Sequence, residues 1–211
     1  MNSGVTSERV YAALKEQLLS GAIRPGAKLD PAAIARDLLS SVTPVRDALH
    51  RLIGEQLVES QSGDGFRLPH ITEPQLEDLY GWSGDILALA LRTGALPAAA
   101  LPERQTEGGK AIAYETAALF AHISSGSRNA EHRLAVEATG DRLQLARRFE
   151  IRLFDDLRSE LDGLRQAAAG GDVAGLRQLL KHYHRRRQRV TAMLVRSIYR
   201  DSDVGDGGGQ S

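Results

Sequence analysis

Val10, Leu14 and Leu18 stand four residues apart, which places them on one face of a helix capped by Thr6 or Ser7 and ended by Gly21, before a turn at Pro25-Gly26. Asp30 and Pro31 then suit the cap and first position of a second helix, because proline lacks the N–H that is unpaired there anyway. Ile34, Ala35 and Leu38 give that helix one apolar side up to Leu39. After Ser40-Ser41-Val42, Thr43 is expected to cap and Pro44 to open a third helix. Val45, Leu49 and Leu52 or Ile53 line one face of it, and Thr43, Arg46 and His50 another. Leu57–Gln61 and Gly65–Leu68 carry strand-forming residues on either side of Ser62-Gly63-Asp64, which predicts a hairpin. Three helices followed by a hairpin describe a winged helix-turn-helix.

Pro69-His-Ile-Thr-Glu-Pro74 interrupts the pattern, and longer helices follow. The expected organisation is a winged head over residues 1–70, an all-helical domain over 71–200 and a polar, glycine-rich, disordered tail over 201–211. Within the second domain the spacing predicts a helix from Glu73 to Gly94 and a loop from Ala95 to Gly109 containing Pro97 and Pro102. Helices are then expected over Lys110–Ile123 and Asn129–Thr139, the latter stopped by Gly140. From an Asp141 cap, Ala146, Phe149, Leu153, Leu157, Leu161 and Leu164 predict one long helix reaching Gly170-Gly171. Asp172 caps a last helix striped by Leu176, Leu180, Tyr183, Val190 and Leu194. The fold class is therefore mainly α: an N-terminal winged helix-turn-helix plus a C-terminal antiparallel helical bundle, with the Ala146–Leu164 stripe as bundle core or dimer seam.

Composition changes this picture in only a few places. The 211 residues are 42% hydrophobic, enough for a core in each domain. Formal net charge is zero, from 27 basic and 27 acidic residues, so a nucleic-acid partner has to be argued from local placement of charge. There is no cysteine, hence no disulfide, thiolate metal site or thiol nucleophile. No apolar run approaches the length of about 18 residues that spans a membrane, and Met1-Asn-Ser-Gly-Val-Thr6 lacks the basic and apolar regions of a secretory leader, so a cytoplasmic protein is expected. A serine nucleophile elbow, a phosphate-binding glycine loop and a His-Glu-x-x-His pair are all missing, which argues against an enzyme.

A helix entering the major groove needs short polar or basic side chains on its first turns, where they meet base edges. Thr43, Arg46 and His50 supply a hydroxyl, a guanidinium suited to guanine and an imidazole, while Arg36 and Arg67 are placed to reach the DNA backbone. The competing reading is an ordinary solvated face, with Arg46 and Arg51 interleaved with Asp47. The order Ile23-Arg-Pro-Gly26, Leu29, Ile34-Ala35, Ser41-Val-Thr-Pro-Val-Arg-Asp-Ala-Leu49, Leu52, Leu57-Val58 and Gly65-Phe resembles the N-terminal domain of the GntR family of bacterial transcription regulators. The resemblance covers roughly residues 5 to 70 and implies a homodimer on a palindromic operator of double-stranded DNA, usually a repressor released by a small metabolite. It adds Ser41, Val42, Pro44 and Gly65 to the expected DNA-binding residues. Val42 stands where the family pattern commonly has arginine, and its methyls can touch thymine but cannot donate a hydrogen bond.

Downstream, Leu96–Leu101, Arg128-Asn-Ala-Glu-His132-Arg-Leu134 and Ala167–Asp172 are similar to the FCD domain of the FadR-type branch. The resemblance implies a divalent metal, held by one aspartate and three histidines, that binds a carboxylate effector. Only His132 matches that set, since the other positions fall on Arg128, Leu161 and Tyr183. His182 and His184, with His122, offer a shifted set for zinc, nickel or manganese. Alternatively His182 and His184 belong to a solvated face of the basic run Lys181–Arg189. The expectation is a metal-free domain with no cofactor, whose effector, a carboxylate, meets Arg128, His132 and Tyr183. The basic run either contacts DNA phosphates or pairs with Asp155, Asp156 and Glu160. The alternative for the whole chain is a helical metal- or ligand-binding protein, or an interaction module, whose winged helix does not read DNA sequence.

Overall fold

A computed structural model describes residues 3–61, 63, 65–97 and 108–204. Ser62 and Asp64 of the expected turn, Pro102 with most of the expected loop, and the tail from Gly205 lie outside the described residues. The chain divides into two units, Met1–Ile71 and Thr72–Ser211, each with its own apolar core.

The first unit runs α1 (Ser3–Leu19), β1 (Lys28–Leu29), α2 (Pro31–Asp37), α3 (Val42–Gly54), β2 (Glu59–Gln61) and β3 (Gly65–Arg67). Helix α1 begins upstream of the expected cap at Thr6 or Ser7, since no proline between Ser3 and Ser7 interrupts the backbone ladder. The Asp30 cap holds, its carboxylate accepting from the Ala32 N–H at 2.9 Å, with Pro31 behind it. The three-residue reading of the next helix start needs correcting: Ser41 is the cap, and Val42, Thr43 and Pro44 form the first turn. Proline is tolerated throughout a first turn, so its presence did not fix the cap to the residue before it. Val10, Leu14 and Leu18 pack with Ile34, Ala35, Val45, Leu49 and Leu52, and Phe66 and Leu68 join the same cluster. Strand β1, unforeseen because two residues are too short to show alternation, pairs antiparallel with β3 and gives the sheet order β1-β3-β2.

The second unit contains α4 (Glu73–Thr93), α5 (Gly109–Ser125), α6 (Ala130–Phe149), a 3₁₀ turn (Glu150–Arg152), α7 (Leu157–Ala169), α8 (Val173–Gln188) and α9 (Thr191–Val204). A reciprocal cap opens α4: Thr72 Oγ1 accepts from the Gln75 N–H, and the Gln75 side chain accepts from the Thr72 N–H. At the C-terminal ends of α4 and α5, Gly94 and Gly126 bring two backbones together, and a Cβ on Gly126 would fall 1.8 Å from the Ala95 carbonyl oxygen. The Ala95 N–H donates to the Gly126 carbonyl across this contact at 3.2 Å.

Two expected helix boundaries are wrong for one physical reason, that tertiary packing outweighs local stop signals. Helix α6 passes straight through Gly140 and Asp141, because an interior glycine costs only about 1 kcal/mol and this one is buried on the face that meets α5. The break falls instead between Leu153 and Asp156, where no glycine or proline announces it. There Phe154 turns into the core, and Asp156 becomes the cap position of α7. The helix expected from Asp172 through Leu194 likewise divides at Arg189-Val190, and α9 then continues to Val204, past the expected tail boundary. Leu157, Leu161 and Leu164 belong to the core of this unit together with Leu119, Phe120, Leu176 and Tyr183.

Candidate nucleic-acid interface and helical-domain interior

Helix α3 sorts its side chains cleanly. Val45, Ala48, Leu49 and Leu52 are buried, whereas Ser41, Val42, Thr43 and His50 are exposed and Arg46 is half-buried. The Ser41 side chain makes no capping hydrogen bond, so the first backbone N–H groups of α3 point outward at the positive end of the helix dipole. Phe66 of β3 lies under the reading face: the Arg46 guanidinium carbon is 5.7 Å from its ring centroid, and the His50 ring meets it edge-on at 5.2 Å. One aromatic residue of the wing thus supports both polar side chains, a contact the strand pattern alone did not reveal.

The remaining predicted residues are distributed around this ridge. Arg36 is exposed on the last turn of α2, and Gly65 opens β3. Arg67 is engaged, its Nε and Nη2 donating to Glu59 Oε2 at 2.9 and 2.8 Å, in a row where Lys28 pairs from the other side. Arg51 bonds Glu8 at 2.7 Å and covers the Tyr11 ring at 3.7 Å, fastening α3 to α1. Lys15 and Tyr11 bond Glu55 at 2.7 and 2.5 Å and add to the same joint.

In the helical unit, the expected effector residues Arg128, His132 and Tyr183 are not brought together. Arg128 is exposed just before α6, His132 is tied to Ser127 Oγ at 2.8 Å, and Tyr183 is buried in the core. The shifted metal set also fails. His182 is exposed, but His184 is only 4% exposed, which corrects its placement on a solvated face. Its Nδ1 lies 2.7 Å from the Leu180 carbonyl, which only accepts, so Nδ1 carries the proton and Nε2 accepts from Ser83 Oγ at 3.1 Å. Both ring nitrogens are therefore committed, and burial pushes the imidazole pKa down to about 3, with Arg147 and Arg187 nearby reinforcing the shift. Among the described residues no group of three potential ligands forms, and the family's metal positions carry an exposed arginine, a buried leucine and a buried tyrosine. These residues do not fit a metal.

The basic run is partly interior as well. Arg187 is 1% exposed and bridges two carboxylates, Glu150 at 2.8 Å and Glu160 at 2.6 Å, while its guanidinium stacks on Tyr183 at 3.4 Å. Tyr80 donates to the second oxygen of Glu150 at 2.7 Å, and burial beside that carboxylate raises the phenol pKa well above its usual value. Arg186 pairs with Asp156 and Glu160, so the acidic partners expected from the sequence, apart from Asp155, are those found. Next to this satisfied network stands an unsatisfied one. Arg147 is 2% exposed, with Phe120 5.2 Å from its guanidinium, and neither its Nε nor its Nη1 has an acceptor. The Gln144 amide nitrogen and the Tyr183 hydroxyl are buried and unpartnered too. The sequence pattern did not single out Gln144 and Arg147, although they flank the buried Leu143 and Ala146 on the same arc of α6.

Three helices closed by a small sheet, with a polar ridge on the third helix, define a winged helix-turn-helix protein. Residues 6–68 match the family of bacterial regulatory proteins called gntR. The chain is 34% identical over 94 residues to the HTH-type transcriptional regulator McbR of Escherichia coli K12, and 30% identical over 76 residues to the HTH-type transcriptional repressor GlaR of the same organism. Those stretches are 44% and 36% of this chain and span only 42% and 34% of the two relatives. Among solved structures, McbR/YncC of E. coli superposes with a TM-score of 0.62 at 21% identity, over 89% of this chain and 97% of that one. A GntR regulator from Rhodococcus sp. RHA1 gives 0.68 at 21% identity, over 88% and 97%. The structural likenesses show a shared mainly helical fold. Among the described residues no helix is long and apolar enough to cross a membrane.

Proposed function

We propose that this protein is a cytoplasmic transcriptional regulator that binds operator DNA through residues 1–70 and answers to a small anionic metabolite through residues 71–200. The observation that carries the DNA reading is the outward ridge of α3, where Thr43, Arg46 and His50 stand over a buried aromatic support. Arg36, Ser41, Val42, Pro44, Gly65 and Arg67 surround it. In this reading the chain is a homodimeric repressor of a palindromic operator, of the FadR-type branch with an FCD-like helical domain. Two copies would set their reading helices about 34 Å apart, one turn of DNA. Trp82 and Leu89, 50% and 38% exposed and seven residues apart on α4, support a contact with a second copy. Selection from random DNA followed by anisotropy titration tests the proposal. Specific binding that weakens steeply with salt is expected, with a loss of at least about fivefold for Arg46→Ala, since a bidentate guanine contact carries about 1–3 kcal/mol. Absence of salt-sensitive, sequence-selective binding would overturn it.

The metabolite reading rests on Arg147. A buried guanidinium lacking an anion is costly, and the two further unpartnered donors near it, Gln144 and Tyr183, favour an acceptor-rich guest such as a carboxylate. Here the effector residues are Arg147, Gln144 and Tyr183, in place of Arg128 and His132. Thermal denaturation with lactate, succinate, citrate and benzoate checks this. A binding acid at a hundredfold excess over its Kd should stabilise the protein by about 2.7 kcal/mol, and Arg147→Leu should remove that gain while leaving the ligand-free protein folded.

A further inference from the structure

On the reading that the N-terminal unit binds operator DNA, we propose that Val42 reads a thymine by its 5-methyl group. This places a thymine in each half-site within about two base steps of the base that Arg46 recognises.

Helix α3 keeps its other branched aliphatic residues near its start inside, with Val45 and Leu49 fully buried, yet leaves Val42 41% exposed between the exposed hydroxyls of Ser41 and Thr43. Nothing in the local structure asks for valine here. It is a weak helix former, it cannot cap, and the core cluster of this unit does not include it. Its position is nevertheless specific. Val42, Arg46 and His50 are spaced by four residues and so form one ridge, with the valine at the end of the helix that enters the groove first.

Of the four bases, only thymine presents an apolar group in the major groove. The ridge therefore offers an apolar contact, a guanidinium and an imidazole in sequence to consecutive base edges. Four helical residues rise about 6 Å and successive bases about 3.4 Å, so the thymine lies within about two steps of the Arg46 contact. Valine suits the task because branching at Cβ holds its methyls in few rotamers, and little freedom is lost on contact.

Replacing thymine with deoxyuracil deletes this one methyl and leaves every hydrogen-bonding group in place. Full-length protein is titrated against its selected site and against versions in which each thymine is changed singly to deoxyuracil. The expected result is about fourfold weaker binding at one thymine per half-site, the worth of one buried methyl, and little change elsewhere. Val42→Ala, an exposed substitution, should bind the thymine and deoxyuracil sites alike while keeping the salt dependence of the parent protein. Indifference of the parent to deoxyuracil at every position, or an undiminished penalty in Val42→Ala, would overturn this inference and leave the DNA reading intact. Loss of all sequence-selective binding would overturn both.

Discussion

Leu39 and His184 each occupy an environment their residue type resists, for opposite reasons. Leu39 adopts φ of +49° with 89% of its surface exposed, at the turn where the Arg9 guanidinium grips the preceding carbonyl of Leu38 at 3.2 Å. A left-handed backbone costs a residue with a Cβ about 1–2 kcal/mol, part of which glycine returns through its greater freedom when unfolded. Leu39→Gly should therefore raise the unfolding free energy by about 0.5–1 kcal/mol in urea titration. A measured loss would mean that the leucine has contacts the turn depends on. His184 is held neutral, its pKa pushed down from 6.5 to about 3 by burial and by the charges of Arg147 and Arg187. Below pH 6.5 the unfolded chain takes up a proton that the folded one refuses, so stability present above that pH is lost as pH falls toward 3. From pH 7.5 to 5 the loss from this group is about 2 kcal/mol, and His184→Gln should flatten the profile over that window. An equally steep decline in the variant would assign the pH dependence elsewhere.

Helix α8 shows how an element that reads as surface can be a keystone. Arg187 satisfies Glu150 from the end of α6 and Glu160 from α7, and all three groups lie largely out of water. Arg187→Ala leaves the carboxylate of Glu150, 2% exposed, without its cation beside the Tyr80 hydroxyl, and should cost about 3–5 kcal/mol by chemical denaturation. The pair Glu150→Gln with Arg187→Met should recover much of that, because no charge is then stranded at position 150 and Glu160 keeps Arg186 as a partner. The same residues explain the limits of sequence reading at this scale. The winged head was legible because its signals are local: Asp30 before Pro31, alternating short strands, and the Val45–Leu49–Leu52 face beside Thr43, Arg46 and His50. The helices of the second unit were legible as helices but not in their breaks. Gly140 looks like a stop and is an interior contact, whereas the bend at 153–156 is set by the burial of Phe154 and Glu150 after the chain has folded. Gln144 and Arg147 were missed because polar side chains on a charged helix carry no mark of burial until their neighbours are known.

Each unit of the molecule holds a core that uses none of the other's residues, from Val10 to Leu68 in the first and from Ile86 to Tyr183 in the second. The first is therefore large enough to fold alone, near the lower size limit for a domain without metal or disulfides. This separates two contributions to operator binding. In the proposed reading, base recognition belongs to the ridge of α3 and the avidity of a dimer to the helical unit. A fragment of residues 1–71 should accordingly give a dispersed amide NMR spectrum and keep the base preferences of the full chain. It should bind a half-site with the same rank order of substituted sites, but lose about 10²–10⁴-fold in affinity for the full palindrome, the usual worth of tethering two reading heads. Full affinity retained by the fragment would move dimerisation into the winged head, and an unchanged affinity on doubling a single half-site would argue for a monomeric reader. Sedimentation of the full chain and the fragment at the titration concentrations distinguishes these outcomes, because the avidity argument requires the full chain, and only the full chain, to be a dimer there.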